Sequence, residues 1–261
     1  MSKAWISLVA RLGMPLIAFV LIVAPSVLPA HALEDARKVA VVSFGLFGDQ
    51  SVFRSEATGA AKIVASRFGH GPVDVHYNSK KGGKATIETL ATSLQTAAKG
   101  MDADNDVLFL ILTTHGSPAG LAVKAGPLTQ VLTPPNLADM FGRTGVRHKA
   151  VIISACYSGS FIDRLKDERT LILTAAAADR TSFGCSSEND FTYFGDAFIN
   201  TALRHQRSFV AAFGEAKAII ARREADEKLT PSEPQIYLGA AMKAKLHELE
   251  HPAKQPLAAA R

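Results

Sequence analysis

The sequence predicts an α/β fold in which helices cover both faces of a mostly parallel sheet. The first observation is a set of apolar runs without polar alternation, typical of strands buried on both faces, at residues 39–44, 107–113, 150–154 and 170–175. The second is helical periodicity between these runs, with apolar residues three and four positions apart. Strand and helix follow one another in turn, which indicates one sheet and gives no sign of a repeat or a second domain.

The N-terminal half supplies the first two strands and two helices. The run at residues 39–44 is followed by a turn of glycine and aspartate, and residues 53–68 then have the apolar stripe of a helix. Residues 73–77 form a short second strand. A helix is predicted over residues 85–98, opened by a glycine pair at 82–83 and closed near Gly100.

The C-terminal half begins at the strongest strand signal, residues 107–113. Gly126 and Pro127 separate two apolar stretches, 121–123 and 128–132, which predicts a small hairpin. The remaining elements are strands at 150–154 and 170–175, helices at 137–141, 191–204 and 209–228, and an edge strand at 235–238.

The first 32 residues are typical of a secretory signal peptide. Lys3 and Arg11 precede an apolar stretch of roughly 15 residues, which is short for a membrane span, and residues 30–32 (Ala-His-Ala) fit a cleavage site. We expect an exported, simplest a periplasmic, protein without stable membrane insertion; an uncleaved anchor is the alternative. The remainder, residues 33–250, is expected to form one domain, and residues 251–261, rich in Ala, Pro and Lys, are expected to be a disordered tail.

Charge and histidine spacing argue against several classes of partner. The formal net charge of +5 falls to +3 without Lys3 and Arg11, and the basic clusters at 204–207 and 221–223 lie in helical patterns, so no nucleic acid partner is expected. The histidines show no recurrent ligand spacing, and we expect no metal and no cofactor. The oligomeric state is left open.

Two reactive side chains follow buried strands. His115 comes two residues after the strand at 107–113, and Cys156 comes two residues after the strand at 150–154. If both strands are parallel neighbours, they end at the same edge of the sheet about 4.8 Å apart, which brings an imidazole to a thiol. A thiol with a pKa of about 8.5 needs such a partner to form the nucleophilic thiolate at neutral pH.

The backbone beside this pair can supply an oxyanion hole. Gly116 follows the histidine without a side chain, and its N–H and that of Cys156 are the candidate donors to a developing oxyanion. Gly159 allows a sharp turn into the next helix. Cys185 is the other cysteine of the chain, and on counting alone a disulfide with Cys156 is the alternative; that bond would remove the nucleophile.

These residues resemble the legumain-like cysteine peptidases, family C13 of the caspase-like clan. The resemblance covers residues 38–205 and is carried by His115-Gly116-Ser117, by residues 155–160 (Ala-Cys-Tyr-Ser-Gly-Ser), and by residues 178–196. It implies a caspase-like three-layer sandwich and hydrolysis of peptide bonds after Asn or Asp, with a peptide or protein substrate. Some enzymes of the family transfer the acyl group to an amine instead.

The resemblance also implies roles for individual residues. His115 and Cys156 match the catalytic pair, and Gly116 matches the oxyanion-hole glycine. Arg54, Ser182 and Asp196 match the residues of the pocket for the substrate side chain preceding the cleaved bond. An Arg and an Asp on opposite walls would bind the oxygen and the nitrogen of an asparagine amide.

Two positions depart from the family pattern. Ser154 stands two residues before the nucleophile, where legumains usually have an acidic residue, so this substrate-binding position is altered. Val52 occupies the place of the asparagine that assists their histidine. The third catalytic residue therefore stays open, and so do three alternatives to hydrolysis: a transpeptidase, an inactive peptide-binding module and a disulfide-stapled structural domain. The chain ends soon after the last predicted strand, so no inhibitory prodomain is expected.

Overall fold

The computed structural model describes residues 38–69 and 71–251. The predicted signal peptide (1–32) and all but the first residue of the predicted tail (251–261) lie outside these residues. Ten strands are found in the described part: β1 (Val39–Gly45), β2 (Val73–Ser79), β3 (Gly82–Gly83), β4 (Val107–Thr113), β5 (Gly116–Ser117), β6 (Gly120–Ala125), β7 (Leu128–Leu132), β8 (His148–Ser154), β9 (Thr170–Thr174) and β10 (Gln235–Leu238).

The helices alternate with these strands as predicted. They are α1 (Val52–Phe68), α2 (Ile87–Ala98), α3 (Pro134–Gly142), α4 (Ile162–Leu165) after a 3-10 turn (Ser158–Phe161), a π-helix (Gly195–Ala202) that runs into α5 (Leu203–His205), α6 (Phe209–Asp226) and α7 (Ala240–Glu250). None of the helices in the described part of the chain is long and apolar enough to cross a membrane.

The central sheet has seven strands in the order β10-β9-β8-β4-β1-β2-β3. β2, β1, β4, β8 and β9 are parallel, and only the outer strands β3 and β10 run antiparallel to their neighbours. The predicted hairpin is the β6–β7 pair, which forms a separate three-stranded sheet with β5. The predicted α/β class with a mostly parallel sheet is confirmed.

Each face of the sheet has its own hydrophobic core. Alternate residues of β4 point to opposite sides: Phe109 packs with α1, the π-helix and α6, whereas Leu110 packs with α2, α3 and the hairpin. Both side chains are fully buried. This explains why the strand sequences contain apolar residues at every position, and it gives the helix–sheet–helix layering of the molecule.

Local sequence determines where several helices begin. Thr86 and Thr133 accept a hydrogen bond from the third backbone amide after them and so cap α2 and α3, and Ser208 does the same for α6. The glycine pair expected to open α2 forms β3 instead. The helix expected over 191–204 is largely a π-helix that begins at Gly195. α7 was not predicted.

Candidate active site

The two predicted catalytic residues follow neighbouring parallel strands at the same register. Thr113 of β4 is paired with Ser154 of β8, so His115 and Cys156 each lie two residues beyond a matched pair. The Thr114 amide continues the ladder by donating to the carbonyl of Ser154 at 3.2 Å. Both side chains therefore lie at the carboxyl edge of the sheet, where ligands bind in folds of this class.

Gly116 brings the histidine segment into direct contact with the cysteine backbone. A Cβ atom at position 116 would overlap the carbonyl oxygen of Cys156 and lie 3.3 Å from its amide nitrogen. No side chain fits there, so glycine is required by the close approach of the two backbones. The result is that the amides of Gly116 and Cys156 lie next to each other at the sheet edge.

His115 is held in a partly apolar setting by the loop and helix that follow β1. The rings of Phe47 and Phe53 meet it edge-on, with centroids 4.7 and 5.0 Å from that of the imidazole. Its Nε2 atom lies 2.8 Å from Oε1 of Gln50. Since an amide oxygen can only accept, Nε2 carries the hydrogen and Nδ1 has the free lone pair. Burial lowers the pKa of His115 below its usual 6.5, which favours the neutral imidazole.

The Cys156 thiol is half-buried and contacts Ser182. The Ser182 amide donates to Sγ at 3.2 Å, and the Ser182 hydroxyl lies 3.8 Å from the same atom. The thiol in turn donates to the Ser182 carbonyl at 3.4 Å, so contacts with this one residue hold the sulfur in place. Ser182 was predicted to line the pocket, and its amide and hydroxyl contact the Cys156 sulfur.

The turn that follows Cys156 is tight. Tyr157 has a positive φ of 56°, uncommon for a residue with a side chain, and its amide donates to the carbonyl of Arg180 at 2.7 Å. A Cβ atom on Gly159 would come within 2.6 Å of the Ala178 nitrogen. The chain from 156 to 159 is therefore pressed against the loop that follows β9, and this fixes the direction of the cysteine side chain.

Both cysteines are free thiols. Burial is the main cause that raises the pKa of Cys185 to about 12, with smaller contributions from the nearby Cys156 and Glu56. Cys185 is consequently a protonated, weakly nucleophilic thiol near the site. It has the environment expected for a packing residue.

The other predicted pocket residues lie in different surroundings. Ser154 is buried and shares a 2.8 Å hydrogen bond with the Thr192 hydroxyl. Arg54 is exposed, and its guanidinium stacks on the ring of Tyr77 at 4.7 Å from the centroid. Asp196 accepts a hydrogen bond from Asn200 at 2.9 Å and lies 4.0 Å from Arg223. In the described residues Asp196 is thus directed toward α6, while Arg54 is directed toward β2.

Two residues of the site were not predicted. Gln50 contacts the histidine from a turn 65 residues earlier in the chain, and nothing in the local pattern around it indicates this contact. Val52, which by resemblance occupies the place of the assisting asparagine and left the third catalytic residue open, is buried in the core. Glu56 is fully buried on the sheet-facing side of α1. A carboxylate within an apolar helical stripe was a visible signal for it.

Comparisons with known proteins were consistent with this geometry. The family model described as the Peptidase C13 family matches residues 72–244. The crystal structure of caspase-1 from Spodoptera frugiperda is similar in fold, with a TM-score of 0.53 and 17% identity over 77% of this chain and 85% of that chain. No curated protein sequence matches. The family match covers more than half of the sequence, and the fold is that of the caspase-like sandwich. The chain therefore belongs to the peptidase C13 family, as the motifs around His115 and Cys156 indicated.

Proposed function

We propose that this protein is a cysteine peptidase in which Cys156 attacks the carbonyl carbon of a peptide bond and His115 transfers the proton. The observation that carries the proposal is the shared register of β4 and β8, which puts an imidazole with a free Nδ1 and a thiol at one edge of the sheet. Membership of a peptidase family supports it.

The first half of the reaction forms an acyl-enzyme. The Cys156 proton passes to Nδ1 of His115 as the sulfur–carbon bond forms, and the carbonyl oxygen becomes an oxyanion that the amides of Gly116 and Cys156 stabilise. The carbon–nitrogen bond then breaks, and the imidazolium returns the proton to the leaving amine. Gln50 accepts from Nε2–H throughout and keeps the ring in one tautomer.

The second half reverses these roles. Water gives a proton to His115 as its oxygen attacks the acyl carbon, and the sulfur–carbon bond breaks to release the acid and regenerate the thiol. If an amine takes the place of water, the same intermediate gives a transpeptidation product. We assign hydrolysis as the main reaction.

We further propose that the substrate side chain before the cleaved bond is Asn or Asp. Arg54 supports this because its guanidinium is exposed beside Tyr77 and forms no ion pair with a carboxylate among the described residues. It can therefore donate hydrogen bonds to the side-chain oxygen of an Asn or Asp of the substrate. Ser182 would line the same pocket from the thiol side. Asp196 would bind the substrate side chain only after its ion pair with Arg223 is broken. Ser154 would lie at the closed end of the pocket.

A cleavage profile tests the activity and its selectivity together. Fluorogenic peptides with Asn, Asp, Gln, Lys or Leu before the scissile bond are compared for the wild type, Cys156→Ala and His115→Ala. Cys185→Ala is the matched control, because it removes a protonated thiol that the proposed mechanism does not use. We expect turnover only with Asn or Asp, and only in the wild type and the control.

Turnover that survives in Cys156→Ala would refute the mechanism. A wild type that binds these peptides without cleaving them would instead support the peptide-binding module. Mass spectrometry of products formed with an added amine separates hydrolysis from acyl transfer.

Export remains part of the proposal. The segment 1–32 is expected to direct the chain across a membrane and to be removed after Ala32. N-terminal sequencing of the exported protein tests this, and a chain that keeps Met1 would support the uncleaved anchor.

A further inference from the structure

Glu56 is a buried carboxyl group close to the catalytic edge that takes no part in the chemistry above. Its side chain is 0% exposed in α1. Burial raises its pKa, an effect that the Ser154 hydroxyl, the Thr192 amide and hydroxyl, and the Thr113 hydroxyl only partly offset. An apolar side chain would fill the same place without the cost of burying a carboxyl group. The hydrogen bonds at Thr192, one of which Oε2 of Glu56 accepts, are therefore the feature that distinguishes it; Oε1 has no hydrogen-bond partner among the described residues.

One of these hydrogen bonds connects α1 to the loop beside the thiol. Oε2 of Glu56 accepts from the Thr192 amide at 2.7 Å, and both groups are buried. The Thr192 hydroxyl in turn accepts from the Gly195 amide at 3.0 Å. A Cβ atom at position 195 would overlap the carboxyl group of Glu56, so the start of the π-helix is packed directly on this acceptor.

The anchored end of this loop contacts the end that holds the sulfur. The Tyr193 amide donates to the carbonyl of Phe183 at 3.1 Å, and a Cβ atom on Gly184 would lie only 2.7 Å from the Tyr193 nitrogen. The residue before Phe183 is Ser182, whose amide donates to Sγ of Cys156 at 3.2 Å. A continuous set of contacts thus runs from Glu56 through residues 192–193 and 182–183 to the thiol.

We propose that Glu56 is a positioning residue that holds the Ser182 amide against the Cys156 sulfur by anchoring the loop 182–195. This inference rests on the proposed function in taking Cys156 as the reacting thiol. Without the acceptor at position 56, the Thr192 amide is buried and unpaired, and the loop relaxes away to find a partner. The sulfur of Cys156 then loses its amide donor and is no longer held in one position.

Alkylation of Cys156 by iodoacetamide measures this effect without any peptide turnover. The rate is followed from pH 5 to 10 by mass spectrometry of the Cys156 peptide in wild type, Glu56→Leu, Glu56→Gln and Thr192→Val. We expect Glu56→Leu to slow alkylation at pH 7 by roughly tenfold, the order expected when the attacking sulfur loses one hydrogen-bond donor. Glu56→Gln keeps an acceptor oxygen and should stay within about twofold of the wild type.

Two further variants keep the test decisive. Val64→Ala removes buried volume from the same helix away from the loop and should lower the thermal unfolding midpoint while leaving the alkylation curve unchanged. Thr192→Val retains the amide but removes the hydroxyl that links Ser154 and Gly195, and should give a smaller shift in the same direction even if Glu56→Leu does not fold.

The proposal is overturned if a folded Glu56→Leu or Thr192→Val variant alkylates like the wild type, or if Val64→Ala gives the same shift. It is also overturned if Glu56→Gln behaves like Glu56→Leu, because the missing acceptor is then not the cause. An altered alkylation curve in a protein that cleaves no peptide would contradict the proposed function while leaving the role of Glu56 intact.

Discussion

In the proposed mechanism, Gln50 decides which nitrogen of His115 accepts the thiol proton. With its Oε1 atom 2.8 Å from Nε2, the amide selects the tautomer whose Nδ1 is a base. Gln50→Leu should lower kcat by roughly tenfold or more, since correct proton transfer contributes about 10²–10⁴ to such reactions, with a smaller change in KM. Gln95→Leu, on the exposed side of α2, is the control. A wild-type kcat in Gln50→Leu would show that the amide does not orient the ring.

Burial of His115 predicts the acid side of the pH profile. The base must be neutral to accept the thiol proton, and its pKa lies below 6.5 because charging a partly buried ring is unfavourable. As the pH falls, the decline of kcat/KM should therefore have its midpoint below pH 6.5. Measuring kcat/KM from pH 4 to 8 checks this. A midpoint above 6.5 would mean that an undetected anion stabilises the imidazolium.

The closest contact between elements at the site is that of the segment after β4 with the segment after β8. Gly116→Ala would push its methyl group into the Cys156 carbonyl, and relief of this overlap must separate the two strand ends. Loss of one oxyanion donor costs about 10²–10³ in kcat, so a decrease of that order is expected. Gly142→Ala, with open space around the added methyl, should retain full activity. Equal activity in Gly116→Ala and Gly142→Ala would show that the amide of Gly116 does not act in the proposed mechanism.

The elements that the sequence predicts well are those whose burial is uniform. β4 was predicted at its observed bounds because all its residues are buried and nearly all are apolar, whereas the prediction for β8 missed the polar residues His148 and Lys149 at its start. α7 escaped prediction because Lys243, Lys245 and His247 interrupt its apolar face. The π-helix was predicted only as a helix, because hydrophobic spacing cannot reveal that Gly195 must fit over the Glu56 carboxyl.

Among the site residues, those at the ends of strands could be located from the sequence, and those in loops could not. The positions of His115 and Cys156 could be predicted because each follows the end of a strand, and the register of β4 and β8 puts both residues beyond the same edge of the sheet. Gln50 and Ser182 lie in loops whose paths depend on tertiary contacts, and the local sequence pattern does not reveal those contacts. Ser182 was found by family resemblance alone. The pocket role that resemblance gives Asp196 stays a prediction; in the structure its carboxylate lies 4.0 Å from Arg223.

At the scale of the whole molecule, stability comes from two hydrophobic cores on a seven-stranded sheet, and the described structure has no disulfide. A domain of this size does not need one. We therefore expect the exported protein, unfolded under non-reducing conditions, to show two titratable thiols. The variant Cys185→Ala should show one.

The native protein should react at only one of these thiols. Cys156 is half-exposed beside an amide donor, whereas a pKa of about 12 leaves Cys185 with about one part in ten thousand as thiolate at pH 8. Maleimide labelling followed by peptide mapping should find Cys156 modified first and Cys185 only after unfolding. Zero thiols in the denatured sample would mean that Cys156 and Cys185 form a disulfide. The protein would then be a disulfide-stapled structural domain without a free thiol at the edge of the sheet.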